Sequence, residues 1–173
     1  MFSTSLTVWH YDSAMGAAAG EVRLKDLEQL GGLRVIDAVT VAWMTGSHAP
    51  RVGHLHHRTT TSAARGSVLG ALVGALVLAP AAGAAAGAGI AAISQKVSGS
   101  GIDAPFLEDI TARLTPGTSA LLVLSKDADL DVVRPFIERG LARGDVTLMH
   151  ASLGKDGMQA LRSLLPRPDA PGH

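Results

Sequence analysis

Three histidines in a short tract are the side chains of this chain best suited to chemistry. His54, His56 and His57 lie in the string HLHHR. In an extended strand His54 and His56 would share one face, and two histidines at that spacing can begin a zinc site. His48 or His10 would have to complete it, because no carboxylate is close in sequence. We therefore predict no metal site, with His54 and His56 as the only candidates.

The same tract is also basic. Its histidines acquire positive charge near pH 6, and three arginines lie beside them in the sequence. Basic residues at the foot of an apolar segment attract anionic lipid headgroups. The predicted set of headgroup contacts is Arg51, His54, His56, His57, Arg58, Arg65 and Lys96.

Motifs of the common catalytic classes do not occur in the sequence. The string SGSG at 98–101 lacks the order of a phosphate-binding loop. There is no GxSxG nucleophile elbow. Asp127, Asp129 and Asp131 alternate as in a calcium loop, but the required glycine and glutamate are absent. We predict a protein that is not an enzyme, binds no cofactor and has no identifiable small-molecule substrate.

Charge and cysteine content exclude further classes of function. Among 173 residues, 15 basic and 15 acidic side chains cancel. The basic stripe typical of nucleic-acid binding is therefore not expected. The absence of cysteine excludes disulfides and cysteine-ligated zinc. The first ten residues lack the basic and apolar regions of a signal peptide, so synthesis without export is expected.

The first part of the chain has the pattern of a β–α–β unit. Alternation over 5–10 and a β-branched run over 35–44 predict two strands. A weaker strand is predicted over 52–60. Apolar and small residues recur at intervals of three and four between the first two strands, which predicts a helix that ends at Gly31-Gly32. The residues of this helical face are Ala17, Gly20, Leu24, Leu27 and Leu30.

A second unit of the same order follows residue 100, with an additional helix in front. Asp103 and Pro105 predict the start of that helix. The apolar run 120–124 predicts a central strand covered on both faces. Asp129 is expected to cap the next helix, before a last strand over 146–150 and a short closing helix. The two units predict an α+β fold, a ferredoxin-like sandwich with helices on one face of the sheet.

An apolar segment rich in glycine separates the two units. No charged residue occurs between Arg65 and Lys96, a run of about thirty residues, where about twenty suffice for a membrane helix. Pro80 lies near its middle, so we predict two arms of about 14 residues, roughly 21 Å each, joined by a turn at Pro80. Because both units belong to one sheet, the arms must form a hairpin, over 61–97.

The glycines of this hairpin are spaced four residues apart. That spacing places them on one side of a helix, where a neighbouring helix can approach closely. The predicted helix-packing residues are Gly66, Gly70, Gly74, Gly83 and Gly87. Such a glycine zipper favours association, either of hairpins inserted in a membrane or of hairpins buried in a water-soluble oligomer.

Four segments resemble a bacterial family of uncharacterised predicted membrane proteins, domain of unknown function 1269. They are the opening strand SLTVWHYDS, the glycine block RGSVLGALVGALVLAPAAGAAAGAGIAAI, the helix start GIDAPFLEDI, and LTPGTSALLVLSKDADLDVVRPF. The resemblance covers nearly the whole chain. It implies a non-enzymatic protein, often labelled as a membrane or stress-associated protein, and no catalytic residues.

These observations predict one domain from 1–60 and 101–165, a hairpin insertion over 61–97, and a disordered tail over 166–173. The expected function is homo-oligomerisation and membrane insertion through the hairpin, with a possible role in stress. The expected location is the bacterial inner membrane, with the domain facing the cytoplasm. The alternative is a cytoplasmic, soluble, oligomeric ligand-binding or sensor module in which the hairpin is buried.

Overall fold

The described part of the chain forms one antiparallel sheet and two helical layers. The computed structural model describes residues 4–55, 67–81, 86–142 and 146–165, so the predicted tail at 166–173 lies outside the described residues. The described strands are β1 (Thr4–Tyr11), β2 (Arg34–Ala42), β3 (Arg51–His54), β4 (Ser119–Lys126) and β5 (Val146–Leu153). The described helices are α1 (Gly16–Gln29), α2 (Val68–Ala81), α3 (Ala86–Lys96), α4 (Ala104–Arg113), α5 (Leu130–Ala142) and α6 (Gly157–Arg162).

The five strands form a sheet in the order β3-β2-β4-β1-β5. All neighbouring strands are antiparallel. The second β–α–β unit thus inserts its first strand, β4, between the two strands of the first unit. The predicted α+β class is confirmed. Without the edge strand β3, the order and directions of the strands are those expected of a ferredoxin-like sheet.

Helices cover both faces of the sheet. The face towards α1 and α5, called here the α1 face, carries Trp9, Tyr11, Leu121 and Val123. The opposite face, called here the hairpin face, carries residues of alternate positions on the same strands, including Leu6, Val8, Leu122 and Leu124. The prediction of helices on one face only is therefore wrong. β4 is buried on both sides, as its continuous apolar run predicted.

Helix α2 of the glycine-rich hairpin belongs to the core of the domain. Leu69 and Leu72 are fully buried and Leu76 is 4% exposed. They pack in the same cluster as the hairpin face of the sheet and as Ile110 and Leu161 from α4 and α6. Burying one leucine side chain stabilises a fold by about 1.5–3 kcal/mol. The predicted boundary of the insertion at 61–97 therefore does not coincide with a break in the core.

Two predicted helix starts have the expected caps. Asp103 accepts a hydrogen bond from the backbone N–H of Phe106 at 3.0 Å, just before α4. Asp129 accepts one from the N–H of Asp131 at 3.0 Å, just before α5. Each carboxylate satisfies a donor that the first turn of a helix leaves free. These two caps define where the helices on either side of β4 begin.

On the α1 face, helix α1 lies against the side chain of Tyr11. A methyl group added at Gly16 would overlap Tyr11 Cβ and Cγ, and one added at Gly20 would overlap the Tyr11 hydroxyl oxygen. Glycine at these two positions lets the helix approach the ring. Burial raises the pKa of the Tyr11 hydroxyl, and the charge of Arg23 opposes that rise.

Candidate functional site

A carboxylate of the sheet anchors the start of α2. Asp37 Oδ2 accepts hydrogen bonds from the Ser67 hydroxyl and from the backbone N–H of Leu69, both at 3.0 Å. Ser67 Oγ in turn accepts from the N–H of Gly70 at 3.0 Å. A negative charge and a serine cap both stabilise the positive end of a helix. Polar contacts at the start of α2, together with its buried leucines, therefore fix the orientation of the helix on the sheet.

Asp37 was not singled out by the sequence reasoning, although the sequence carries a signal for it. It is the one acidic residue of β2, whose sequence is RVIDAVTVA. The pairing of β2 with β4 shifts between Val35 and Asp37, as at a β-bulge. Such irregularities redirect a side chain. Here the shift accompanies a carboxylate placed beneath the first turn of α2.

Two glycines of the predicted zipper, Gly70 and Gly74 of α2, have different surroundings. A Cβ atom at Gly70 would lie 2.7 Å from His54 Cε1 and 3.0 Å from Ser67 Oγ. Gly70 therefore gives room to β3 and to the helix cap. A Cβ atom at Gly74 would meet no atom of the described residues within 4 Å. Of these two glycines, Gly74 is the one whose side-chain space no described residue occupies.

The other predicted hairpin residues are only partly within the described chain. Gly66 and Gly83 lie outside it, and Gly87 lies in helix α3. Pro80 is the penultimate residue of α2, so the predicted turn does not lie at Pro80 itself. The link at 82–85 is outside the described residues. α2 and α3 are nevertheless two separate helices within the predicted hairpin, and Pro80 belongs to the first of them.

The predicted basic set is divided by the sheet. Arg51 and His54, both exposed, lie three residues apart on β3. Because strand side chains alternate, they point to opposite faces. His54 faces the hairpin, beside Gly70. Lys96 is exposed at the end of α3. The other members, His56, His57, Arg58 and Arg65, lie outside the described residues, so a common lipid-contact surface stays a prediction.

His10 is not available to a metal site with His54. It is 5% exposed, and its Nε2 donates a hydrogen bond to the carbonyl of Arg113 at 2.8 Å. Two strands separate β1 from β3, so the two histidines are roughly 14 Å apart at the usual strand spacing. No group of three metal-ligating side chains occurs among the residues that the structure describes. His56, the other candidate, lies outside them.

The lengths of the hairpin helices bear on the membrane prediction. α2 has 14 residues and α3 has 11. Within 4–55, 67–81, 86–142 and 146–165, no helix is both long enough and apolar enough to span a bilayer. Insertion of α2 by its leucine side would also remove it from the sheet that it covers.

The fold is that of an α+β protein in which a glycine-rich helical hairpin packs on one face of the sheet. A family model described as "Protein of unknown function (DUF1269)" matches residues 63–166, which is more than half of the chain. The chain therefore belongs to this family, and the resemblance noted in its sequence is confirmed. The match contains the hairpin and the second β–α–β unit, whereas the opening strand precedes it. Neither a curated protein nor a solved structure matches the chain.

Proposed function

We propose that this protein is a self-assembling, non-enzymatic protein in which the outer side of α2 packs against a second copy. The observation that carries the proposal is the unused space at Gly74. Glycine in a helix interior costs about 1 kcal/mol relative to alanine. No described residue of the same chain needs that space. A helix of a second copy, approaching backbone to backbone, would use it.

The buried side of α2 supports the same proposal. Leu69, Leu72 and Leu76 already contact the sheet and the neighbouring helices. Association through the opposite side, where Ala71 and Gly74 are half-buried, leaves these contacts intact. The domain therefore does not have to open in order to assemble. Packing between small residues depends on close fit, so added bulk is the sharpest way to disturb it.

Sedimentation velocity of the full chain over a range of concentrations tests this proposal. We expect the wild type to assemble and Gly74→Leu to shift the distribution to monomer. Ala112→Leu is the matched control, because it adds the same side chain at an exposed position of α4. A monomeric wild type, or a Gly74→Leu variant that assembles like the wild type, contradicts the proposal.

Membrane association is a second candidate, favoured by the uncharged outer side of the hairpin. Ala91 and Ala92 of α3 are exposed, and the first charged residue after them is Lys96. This side could lie on a bilayer while the leucines of α2 remain on the sheet. Retention in membranes after a high-salt, alkaline wash would favour insertion. Complete release by that wash contradicts insertion and leaves assembly in water as the function.

A further inference from the structure

A cavity of about 150 Å³ lies on the α1 face, between the sheet and the start of α5. Its polar wall comes from neighbouring strands. Ser5 of β1 lies opposite Ser125 of β4, and Thr7 lies opposite His150 of β5. All four residues line the cavity. Side chains in directly opposite positions are about 4.5–5.5 Å apart at Cβ. The sheet therefore presents three hydroxyl groups and an imidazole to one space.

These hydroxyl groups are free to contact a bound molecule. Within the described part of the chain, the side chains of Ser5, Thr7 and Ser125 make no hydrogen bond to the protein. Ser125 is only 3% exposed. Because a hydroxyl can both donate and accept, this wall suits a neutral polar group.

The rest of the cavity is apolar. Trp9, Leu148 and Val133 form the sides around the hydroxyl groups, and Ala128 belongs to the same lining. No Asp, Glu, Lys or Arg is among the described lining residues, and His150 is exposed at its edge. A cavity of about 150 Å³ is large enough to hold benzene. The size and the mixed lining together favour a small ring with one polar substituent.

The loop above the cavity is tied to the neighbouring loop. The N–H of Asp129 donates to the carbonyl of Gly32 at 2.6 Å. Asp127 has a positive φ of 53°, a conformation that Asp tolerates better than most residues. These features place Ala128 over the space and fix the start of α5. The cavity is thus bounded by connected elements and not by the end of a free helix.

We propose that this cavity binds a small, uncharged amphipathic molecule of about the size of phenol. The ring lies against Trp9 and Leu148, and its polar substituent bonds to the hydroxyl groups of Ser5 and Ser125. This binding site lies on the opposite face of the sheet from α2. It goes beyond the proposed self-assembly, so either can fail without the other.

Calorimetric titration of the full chain with phenol and with toluene tests the site. We expect wild type to prefer phenol over toluene roughly threefold to tenfold, the range for one net hydrogen bond. Ser125→Ala should lower this preference, because it removes one of the two proposed hydroxyl partners, while toluene affinity is kept. Ser152→Ala is the matched control, because Ser152 also pairs with Ser5 but does not line the cavity. It should keep the wild-type preference.

A variant that fills the cavity provides a second test of the same proposal. Ala128→Leu adds bulk from the loop above it and should lower the affinity of both compounds at least tenfold, with unfolding temperature as a check of the fold. The proposal is overturned if wild type binds neither compound or does not distinguish them. It is also overturned if Ala128→Leu, still folded, binds phenol like the wild type.

Discussion

Helices α1 and α2 lie on opposite faces of the same sheet, and each carries two glycines four residues apart. In α1, Gly16 and Gly20 both give room to the side chain of Tyr11. In α2, Gly70 gives room to His54, whereas Gly74 meets no described atom. Contacts within the described chain thus explain both glycines of α1. In α2 they explain only the first of the two.

This difference shows what the spacing can and cannot indicate. Glycines four residues apart indicate that something approaches the helix backbone closely. They do not identify it, because an aromatic ring of the same domain serves as well as a second helix. The residue that carries functional information is therefore Gly74, whose space the described part of its own chain does not fill.

The largest expected effect tests whether α2 is as much a part of the core as α1. Leu72 of α2 and Leu27 of α1 are both fully buried. Each substitution to alanine should lower the free energy of unfolding by about 2–5 kcal/mol. Urea unfolding measures both, and Leu30→Ala is the control because Leu30 is 61% exposed. A loss for Leu72→Ala near that of the control would mean that α2 is peripheral.

A smaller effect is expected where α1 meets Tyr11. The Gly16→Ala methyl group would overlap Tyr11 Cβ and Cγ, atoms that move little because they are close to the backbone. Such overpacking costs about 1–3 kcal/mol. Urea unfolding should therefore show a less stable protein. Ala18→Ser, at an exposed position of the same helix, controls for general effects. Unchanged stability of Gly16→Ala would contradict the described contact.

In α2 we expect the corresponding glycine-to-alanine substitution to stabilise the protein. Gly74→Ala adds a methyl group where the described residues leave room. It should raise the free energy of unfolding of the monomer by about 0.5–1 kcal/mol, because alanine is the better helix former. The measurement is urea unfolding at concentrations below assembly. Destabilisation of the monomer would show that Gly74 is already in close contact within its own chain.

The smallest effect concerns the Tyr11 hydroxyl, which is buried without a hydrogen-bond partner among the described residues. Tyr11→Phe should change stability at neutral pH by less than about 1 kcal/mol. Because burial raises the pKa of this hydroxyl, the unfolded state loses the proton first. The contribution of the protonated Tyr11 hydroxyl to the free energy of unfolding is therefore full below about pH 10. It is lost as the pH rises through the native pKa.

Unfolding measured from pH 8 to 11 tests this dependence. Tyr11→Phe should lose less stability above about pH 10 than the wild type does. Equal alkaline losses in the two proteins would contradict the burial of the hydroxyl. Arg23, whose charge opposes the rise in pKa, provides the control. Arg23→Gln should steepen the alkaline loss.

Local features of the sequence predicted most of the secondary structure. The alternation over 5–10 lies within β1, and the apolar run 120–124 lies within β4. The caps at Asp103 and Asp129 are where the sequence places them. β3, at Arg51–His54, begins one residue before the strand predicted over 52–60 and shares 52–54 with it, and 56–60 lies outside the described residues. Periodicity and caps are properties of neighbouring residues, so they can be read without the fold.

What surrounds each element could not be predicted in the same way. The leucines of α2 give the same pattern whether they face lipid or a sheet, because burial of apolar area is not directional. The cavity was not predicted because Ser5 and Ser125 are brought together only by the register of β1 with β4. Gly74 stands out only when the atoms around Gly70, Gly16 and Gly20 are known.

The position of β4 has a consequence for synthesis. β4 joins β1 to β2, yet it begins at Ser119, well after α2 ends at Ala81. Until β4 leaves the ribosome, the leucines of α2 have no complete sheet to cover. At about 5–20 residues per second, that interval lasts on the order of several seconds. Any encounter of the leucine side with a membrane or a chaperone therefore precedes the arrival of β4.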